Sequence, residues 1–394
     1  MPMLNGYSPE SLEKITTLHE VIKYRLGRNR DEIRQNLSTV SYAISDPNFD
    51  FPELRVKQIG AKFLFSTDSI NDHLALKALD RSIRSIYQVK FSDKSSIVKC
   101  MITALNDSSL NGISRIDFKS FFENIPRAKL IKKLIDDSIL SQELLSTLIK
   151  IDRKLDNEGY RGLPRGLSIS STLSELYLRD FDRHMKSHWS TYYYARYVDD
   201  IVLISKSQEH SAAELYKRTE ELRIDLNLEK SYHEKDFNEF SFDYLGFKFE
   251  KLKEKLFISI SDKKMSKIKT RIVKAILSFG KNKNSELLKK RILFLTSNHR
   301  ITINGEISDL KSGIYYTNSV VNKFQCLSEL DTFLRKSLTS KKPFFSNHLK
   351  TLKKETKDEI LKMSFFKGFI DKKTIPLQKD DYIKIKECWN DEKN

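Results

Sequence analysis

Apolar residues recur along the chain with periods of about 3.6 and 2, which predict its helices and strands. Residues 192–205, YYYARYVDDIVLIS, place strand-forming residues on both sides of an acidic pair and predict a β-hairpin. A basic stretch at 81–91, RSIRSIYQVKF, is predicted to be strand-like, and the chain beyond about 262 to be mainly helical. The other predicted helices cover 8–45, the first part of 74–104, 95–105, 127–140, 168–188 and 208–227, and the other strands 111–118, 241–250 and 255–261.

The order of these elements indicates a mixed α+β fold, because short strands and a hairpin alternate with helices before a helical C-terminal region. A loop rich in turn residues, NEGYRGLPRG at 157–166, leads into one of the longest predicted helices. A chain of 394 residues is long enough for two or three domains.

Positive charge is concentrated toward the C-terminal end. The formal net charge is +17, with 30 Lys and Arg against 15 Asp and Glu from residue 262 onward and 40 against 38 before it. This asymmetry indicates a nucleic-acid-binding surface in the C-terminal region. A lysine-rich solvated surface that reflects a biased genome is the alternative that charge alone leaves open.

The rest of the composition favours the cytoplasm. The three cysteines, Cys100, Cys326 and Cys388, are odd in number and far apart, which fits neither a disulfide framework nor a zinc site. No stretch approaches the ~18–20 apolar residues of a membrane span. The start of the sequence, MPMLNGYSPESLEK, lacks the basic and apolar pattern of a secretion signal. We therefore expect a cytoplasmic protein without a membrane segment.

Two like charges, Asp199 and Asp200, stand side by side in the predicted hairpin. Neighbouring carboxylates raise each other's pKa unless something neutralises them, and hard cations such as Mg²⁺ prefer carboxylate oxygens. In a straight strand the two side chains would point to opposite faces, whereas at a tight hairpin tip both can lie on one edge. The alternative is an ordinary solvated type I′ turn, in which Asp is a common residue.

A third carboxylate, Asp117, follows an apolar strand in SRIDFKSFFENIP. A lone Asp at such a position is often a helix cap. Three carboxylates at two adjacent strand ends, however, suit a two-metal site for nucleotidyl transfer. In such sites two ions roughly 3.5–4 Å apart activate a hydroxyl and stabilise the leaving pyrophosphate.

Five segments, in the right order along the chain, make the sequence similar to reverse transcriptases. They are IDFKSFFENI (116–125), GLPRGLSIS (162–170), YVDD (197–200), LNLEK (226–230) and DYLGF (243–247). The resemblance covers about residues 80–260 and implies a right-hand polymerase with fingers, an antiparallel palm sheet and a mainly α-helical thumb. The implied domains are 1–105 (N-terminal extension and fingers), 106–261 (palm with part of the fingers) and 262–394 (helical, basic thumb and C-terminal extension).

The resemblance also implies roles for individual residues. Asp117 and Asp199 would bind two Mg²⁺ ions, for which Mn²⁺ can substitute, with Asp200 as a supporting carboxylate. Lys230 is a candidate acid toward the pyrophosphate. Phe122, which taken alone would more often be a core residue, would exclude a ribose 2′-hydroxyl. The other implied positions are Phe118 at the metal, Gly162, Arg165 and Gly166 in the loop that positions template and nucleotide, and Arg81, Arg84 and Lys90 where the fingers contact the triphosphate.

The positioning loop has its own physical logic and one departure. Gly162 and Gly166, on either side of Pro164, make a turn where the backbone can approach a base or sugar closely. Arg165 stands where many reverse transcriptases have glutamine, and its planar, charged fork could hold a phosphate or a base edge differently.

The combination of these segments with SDKSSIV, RILFLTSNHR and LKSGIYY is most similar to stand-alone bacterial defence-associated reverse transcriptases of the unknown group. It implies an RNA template, a DNA product and dNTP substrates, and a companion protein or noncoding RNA as a further candidate partner. The oligomeric state stays open. Three alternatives remain: an RNA-synthesising polymerase, an untemplated or repetitive-sequence DNA polymerase, and a catalytically silent nucleic-acid-binding protein.

The start of the C-terminal region, KKMSKIKTRIVKAI, predicts an amphipathic helix. Met265, Ile268, Ile272 and Ile276 recur at helical spacing, with Lys or Arg on the other faces. A basic helical surface is suited to sequence-independent contacts with phosphates.

Overall fold

The computed structural model describes residues 6–60, 62–107, 109–303 and 306–389. The chain divides into two compact units, with the boundary between Lys235 and Asp236. The expectation that the start of the sequence is not a secretion signal rests partly on residues 1–5, which lie outside the described residues. The division into three domains remains a prediction. Among the described helices, none is both long and apolar enough to cross a membrane.

The first unit is a mixed α+β structure, which confirms the predicted fold class. Its helices are α1 (Pro9–Ile15), α2 (Leu18–Lys23), α3 (Arg30–Ser45), α4 (Ile70–Ile86), α5 (Lys94–Leu105), α6 (Phe121–Asn124), α7 (Arg127–Asp136), α8 (Gln142–Asn157), α9 (Ser168–Ser187) and α10 (Gln208–Leu222). Its strands are β1 (Leu54–Ile59), β2 (Lys62–Thr67), β3 (Gly112–Asp117), β4 (Thr191–Tyr197), β5 (Asp200–Ser205) and β6 (Tyr232–Glu234), with a 3-10 turn at Leu228–Lys230.

A four-stranded antiparallel sheet in the order β4-β5-β3-β6 forms the centre of this unit. In the register between β3 and β5, Asp117 lies opposite Asp200, so the two side chains share a face of the sheet. Ile116, Ile201 and Leu203 alternate with them, point to the other face and are fully buried. Ile113, Val202 and Ile204, on the face of the carboxylates, are fully buried as well, so both faces of the sheet are covered away from the edge where the carboxylates lie.

The prediction of a strand-like stretch at 81–91 is wrong, because residues up to Ile86 belong to α4. Leu76, Leu79 and Ile83 recur at helical spacing and are buried, and the side chain of Ser69 caps the helix by accepting from the amide of Asn71. Ile83 and Ile86 are three apart, as in a helix, whereas Tyr87, Val89 and Phe91 alternate as in a strand, so the stretch contains both periods.

The hairpin of β1 and β2 was not predicted from the sequence. Nearly all side chains of β1 are exposed, so the strand lacks the apolar–polar alternation that marks a half-buried strand. Phe65 of β2 is the buried exception, and its amide donates a hydrogen bond of 2.7 Å to the carbonyl of Arg165.

The second unit contains more strands than the sequence predicted. Its strands are β7 (Glu239–Tyr244), β8 (Phe247–Leu252), β9 (Lys255–Ile260), β10 (Asn298–Ile303), β11 (Glu306–Gly313) and β12 (Thr374–Gln378). Its helices are α11 (Asp262–Asn282), α12 (Ser285–Thr296), α13 (Gln325–Thr339), α14 (Pro343–Leu349), α15 (Lys354–Leu361), α16 (Phe365–Asp371) and α17 (Lys379–Lys386). Helices dominate beyond residue 262, as predicted, but β11, β10 and β12 form an additional sheet there.

Two predictions for this unit are confirmed. The segment DYLGF forms the hairpin between β7 and β8, in which Leu245 and Gly246 both have positive φ, as a two-residue type I′ turn requires. Helix α11 is amphipathic: Met265, Ile272 and Ile276 are buried.

Candidate active site

The three carboxylates meet at one edge of the central sheet. Asp117 is the last residue of β3, Asp200 is the first residue of β5, and Asp199 lies in the turn before it. The backbone amide of Phe118 donates a hydrogen bond of 3.1 Å to the carbonyl of Asp199, which ties the turn to the end of β3.

The turn itself differs from the one expected. Tyr197 pairs with Asp200, so Val198 and Asp199 are the two central residues, and Asp200 belongs to the strand rather than to the hairpin tip. Val198 has a φ of 61°, whereas Asp199 is not among the residues with positive φ. A type I′ turn needs positive φ at both central residues, so the ordinary Asp-containing type I′ turn does not form here.

Burial raises the pKa of Asp199, and the nearby charge of Asp117 raises it further, while Arg165 and Lys230 act in the opposite direction. The pKa of Asp200 is also raised, first by burial, although hydrogen bonds from Arg115 lower it. Burial and the neighbouring carboxylates therefore disfavour the ionised forms of Asp199 and Asp200, and a bound cation would offset both effects.

Asp117 contacts the segment that contains LNLEK. Its carboxylate accepts hydrogen bonds of 2.9 Å from Nζ of Lys230 and 3.3 Å from the side-chain amide of Asn227. The backbone carbonyl of Asp117 also accepts from the amide of Asn227 at 2.8 Å. Lys230 was predicted as a site residue, and the structure places it in direct contact with Asp117, from which it is 113 residues away in the sequence.

Arg115 holds Asp200. Its Nε and Nη2 donate hydrogen bonds of 2.9 and 3.1 Å to the two carboxylate oxygens of Asp200. Arg115 was not predicted from the sequence, although it stands two residues before Asp117 and therefore on the same face of the strand. The two-residue spacing from Asp117 could have marked Arg115 as a candidate. Its partner, Asp200, could not be predicted without the register between β3 and β5.

The positioning loop packs against the chain segment that follows Asp117. A Cβ atom on Gly162 would come within 2.6 Å of the backbone of Glu123, and one on Gly166 within 2.3 Å of the carbonyl oxygen of Phe65. The two glycines thus allow close packing of backbone against backbone. The predicted approach to a base or sugar remains a prediction.

Arg165 and Phe122 lie together beside this loop. The guanidinium of Arg165 forms a bidentate ion pair with Glu123, at 2.5 and 3.0 Å, and lies 5.1 Å from the centre of the Phe122 ring. The ring also makes an edge contact with Phe121 at 5.2 Å. Since Arg165 also lowers the pKa of Asp199, this cluster is electrostatically coupled to the carboxylates.

The three basic residues predicted to contact a triphosphate make their contacts elsewhere. Nη1 of Arg81 donates to the carbonyl of Lys14 at 3.3 Å, and the guanidinium of Arg84 lies 4.6 Å from the centre of the Phe91 ring. Lys90 lines a cavity of about 330 Å³ whose other side is α9. Their role toward a triphosphate remains a prediction.

The donor set at the sheet edge fits a hard cation. Carboxylate oxygens of Asp117 and Asp199 are the ligands that Mg²⁺ prefers. Phe118 could contribute only its backbone carbonyl, because its side chain is buried and stacked on Phe121. Within the described part of the chain, no three acidic, His or Cys side chains already form a metal-binding group. Arg115 binds both carboxylate oxygens of Asp200, whereas Lys230 and Asn227 both bind Oδ2 of Asp117, so the pair of Asp117 and Asp199 is the better candidate.

A comparison with protein families agrees with this geometry. Residues 70–249 match the family model of the reverse transcriptase (RNA-dependent DNA polymerase). A search of curated proteins found no match. Among solved structures, the chain is similar to telomerase from Candida albicans, which was solved in complex with a TWJ fragment of telomeric RNA. The identity is 13% and the TM-score 0.36, and the match covers 81% of this chain and 63% of that chain.

Proposed function

Because residues 70–249 form a domain of the reverse transcriptase family, we propose that this protein is an RNA-directed DNA polymerase. It would add deoxynucleotides to a 3′-hydroxyl, or to a protein hydroxyl if it primes itself, opposite an RNA template. One observation carries the proposal: Asp117, Asp199 and Lys230, which are far apart in sequence, converge at one edge of the sheet within this domain.

Asp117 and Asp199 would hold the divalent cations, with the backbone carbonyl of Phe118 as an additional oxygen. Two bound Mg²⁺ ions would neutralise charge on the attacking hydroxyl and on the leaving pyrophosphate. Lys230 has its ammonium group on Asp117 and a side chain that is 60% exposed, so it can turn toward an incoming phosphate and donate a proton. Asp200, held by Arg115, would support the other carboxylates.

Phe122 would select deoxynucleotides. Its ring is partly buried and fixed between Phe121 and the guanidinium of Arg165. A ring fixed from two sides cannot yield to a ribose 2′-hydroxyl, whereas a freely rotating ring could. Arg165 would then lie next to the nucleotide, where its fork can contact a phosphate or a base edge.

Primer extension on an RNA template tests the proposal. Wild-type protein with Mg²⁺ is expected to incorporate dNTPs and to discriminate against rNTPs, and the double variant Asp199→Ala, Asp200→Ala to incorporate neither. Nucleic acid that co-purifies with each protein should be sequenced as well. A product that forms equally with both proteins would contradict the proposal, and equal use of dNTPs and rNTPs would favour an RNA-synthesising polymerase.

A catalytically silent nucleic-acid-binding protein is the second candidate. The observation that favours it is that Lys230 and Arg115 already neutralise Asp117 and Asp200 within the chain. In that case wild-type protein would bind primer–template and incorporate nothing with Mg²⁺ or Mn²⁺. Templates of different sequence separate a further variant of the proposal, because untemplated or repetitive synthesis gives the same product on all of them.

We further propose a role in antiphage defence in the bacterial cytoplasm, supported by the similarity of the sequence to stand-alone defence-associated reverse transcriptases. Phage plating on cells that express wild-type protein or the Asp199→Ala, Asp200→Ala variant tests this role. Protection is expected with wild-type protein alone. Equal plaque numbers on both strains and on empty cells would remove the proposed role without affecting the proposed chemistry.

The second unit would supply the phosphate-binding surface. The described part of α11 has buried Met265, Ile272 and Ile276 on one face and Lys or Arg on the others. Binding of primer–template is therefore expected to weaken steeply as salt increases. An affinity that does not change with salt would contradict this assignment and would favour docking of a companion protein.

A further inference from the structure

A buried arginine lies behind the turn that carries Asp199. Arg196 of β4 is 4% exposed and points to the face of the sheet covered by α9, opposite to the face with Asp117 and Asp200. Glu175 and Asp182, which stand two turns apart on α9 and so on the same helix face, both bind its guanidinium.

All five N–H bonds of this guanidinium are used. Four of them donate to the carboxylates of Glu175 and Asp182, at distances between 2.6 and 3.1 Å. The fifth donates from Nη1 to the backbone carbonyl of Val198 at 2.9 Å. A planar fork that is anchored at four points has no freedom left, so the position of the fifth acceptor is defined by α9.

That acceptor belongs to a strained residue. Val198 has a φ of 61°, and a β-branched residue in this left-handed region is strained unless its surroundings stabilise it. The hydrogen bond from Arg196 fixes the peptide plane between Val198 and Asp199. The amide of Phe118, which donates to the carbonyl of Asp199, fixes the next plane. Asp199 is therefore held on both sides of its Cα.

We propose that Arg196 is a positioning residue for Asp199. Its guanidinium is fixed by α9 and in turn fixes the carbonyl of Val198, which restricts the position of the Asp199 carboxylate. The same hydrogen bond keeps Val198 in the left-handed conformation. This inference rests on the proposed polymerase function for its effect on the reaction, but its effect on the turn can be measured separately.

The first test replaces Arg196 with Lys, which keeps the charge and loses the fork. We expect kcat of primer extension to fall about 100-fold, since a displacement of about 1 Å can have that effect, while KM for primer–template stays nearly the same. Amide hydrogen exchange of the peptide that covers residues 192–205 should become faster. Unchanged kcat together with unchanged exchange would overturn the proposal.

The second test adds Val198→Gly to Arg196→Lys. Glycine adopts positive φ freely, which removes a strain of about 1–2 kcal/mol, so the double variant should regain roughly tenfold in kcat. Failure to regain any activity would show that Arg196 does not act through the turn.

A lower kcat caused by unfolding of the variant has to be distinguished from one caused by displacement of Asp199. If Arg196→Lys fails to fold, the triple variant Arg196→Met, Glu175→Gln, Asp182→Asn removes the buried charges together and should show the same rapid exchange. Glu20→Gln is the matched control: Glu20 is also buried and bound by a cation, Lys77, in another part of the first unit. An equal loss of kcat in this control would overturn the proposal. If wild-type protein makes no DNA, the polymerase function fails, and the exchange experiment still decides about Arg196.

Discussion

Asp200 accepts two hydrogen bonds from Arg115, one on each carboxylate oxygen, whereas Asp199 is held by its backbone alone in the described contacts. The two adjacent carboxylates are therefore unequal. We expect Asp199→Asn to reduce kcat of primer extension by about 100- to 1000-fold, because several kcal/mol of cation-mediated stabilisation depend on its charge. Asp200→Asn should cost less activity and more stability, since it weakens the bidentate ion pair of the mostly buried Arg115. Kinetics and urea unfolding of both variants measure this, and equal losses of kcat would contradict it.

Lys230 offers a second prediction, because its ion pair with Asp117 is mostly solvated on the lysine side. Lys230→Met should change the free energy of unfolding by less than about 1 kcal/mol. If Lys230 donates a proton, kcat should nevertheless fall about 100-fold or more. Lys235→Met is the matched control, since Lys235 also forms an exposed ion pair, with Glu209 at 2.9 Å. Equal activity of the two variants would remove Lys230 from the reaction.

Some residues of the candidate site could be predicted from the sequence, and others could not. The positions of Asp117, Asp199 and Lys230 in short segments with a fixed order were enough to select them as candidates, and the structure brings them to one edge of the sheet. Arg115 and Arg196 could not be identified in that way, because an isolated arginine in a strand says nothing about its partner. Those partners are set by the β3–β5 register and by the packing of α9, which depend on long-range contacts.

The fold was predictable where amphipathic patterns are long. Helices α5, α7, α9 and α10 and the hairpin that carries Asp199 follow from such patterns, whereas α8 was not predicted and exposed β1 gives no alternation and was missed. The stretch 81–91 was misread because its few apolar residues fit two periods. The exact turn at Val198 was also beyond the sequence, since a β-branched residue with positive φ contradicts its local preference and is stabilised from outside.

The ion pair between Arg165 and Glu123 leads to a third prediction. Glu123 accepts from Nε and Nη2 of Arg165 and so competes with any anionic substrate for this edge of the guanidinium. We expect Glu123→Gln to lower KM for dNTPs several-fold, up to about tenfold for 1.4 kcal/mol, and Arg165→Gln to raise it. Steady-state primer extension with varied dNTP measures both. A higher KM in Glu123→Gln would mean that the ion pair holds Arg165 in its working position.

Substitution of three glycines of the first unit by alanine distinguishes the cost of positive φ from the cost of steric overlap. Gly159 has a φ of 70° and open space around its Cα, Gly162 has overlap without positive φ, and Gly166 has both, with a φ of 97°. Gly159→Ala should cost about 1–2 kcal/mol of stability, from φ alone. Gly162→Ala should cost about 1–3 kcal/mol and also lower kcat, because it pushes the loop away from Glu123. Gly166→Ala should be the least stable in urea unfolding. The reverse order would contradict the packing of the loop.

Asp72 gives the last prediction, which concerns stability and pH. Its side chain is fully buried, one oxygen accepts from the amide of Glu53 at 3.1 Å, and the other has no hydrogen-bond partner among the described residues. Burial raises the pKa of Asp72 from 3.8 to about 6. Since the folded state then binds the proton more tightly than the unfolded state, stability falls as pH rises from about 4 to about 6. The full cost, at most about 3 kcal/mol, is present at neutral pH. Asp72→Asn should therefore stabilise the protein at about pH 7.5 and much less at about pH 4.

Asp93→Asn is the control of opposite sign. Hydrogen bonds from Ser96 lower the pKa of Asp93, so its contribution to stability is present at neutral pH and disappears in acid. Urea unfolding of both variants at the two pH values measures the difference, and a loss of stability in Asp72→Asn at about pH 7.5 would show that the buried carboxylate has a partner that stabilises its charge.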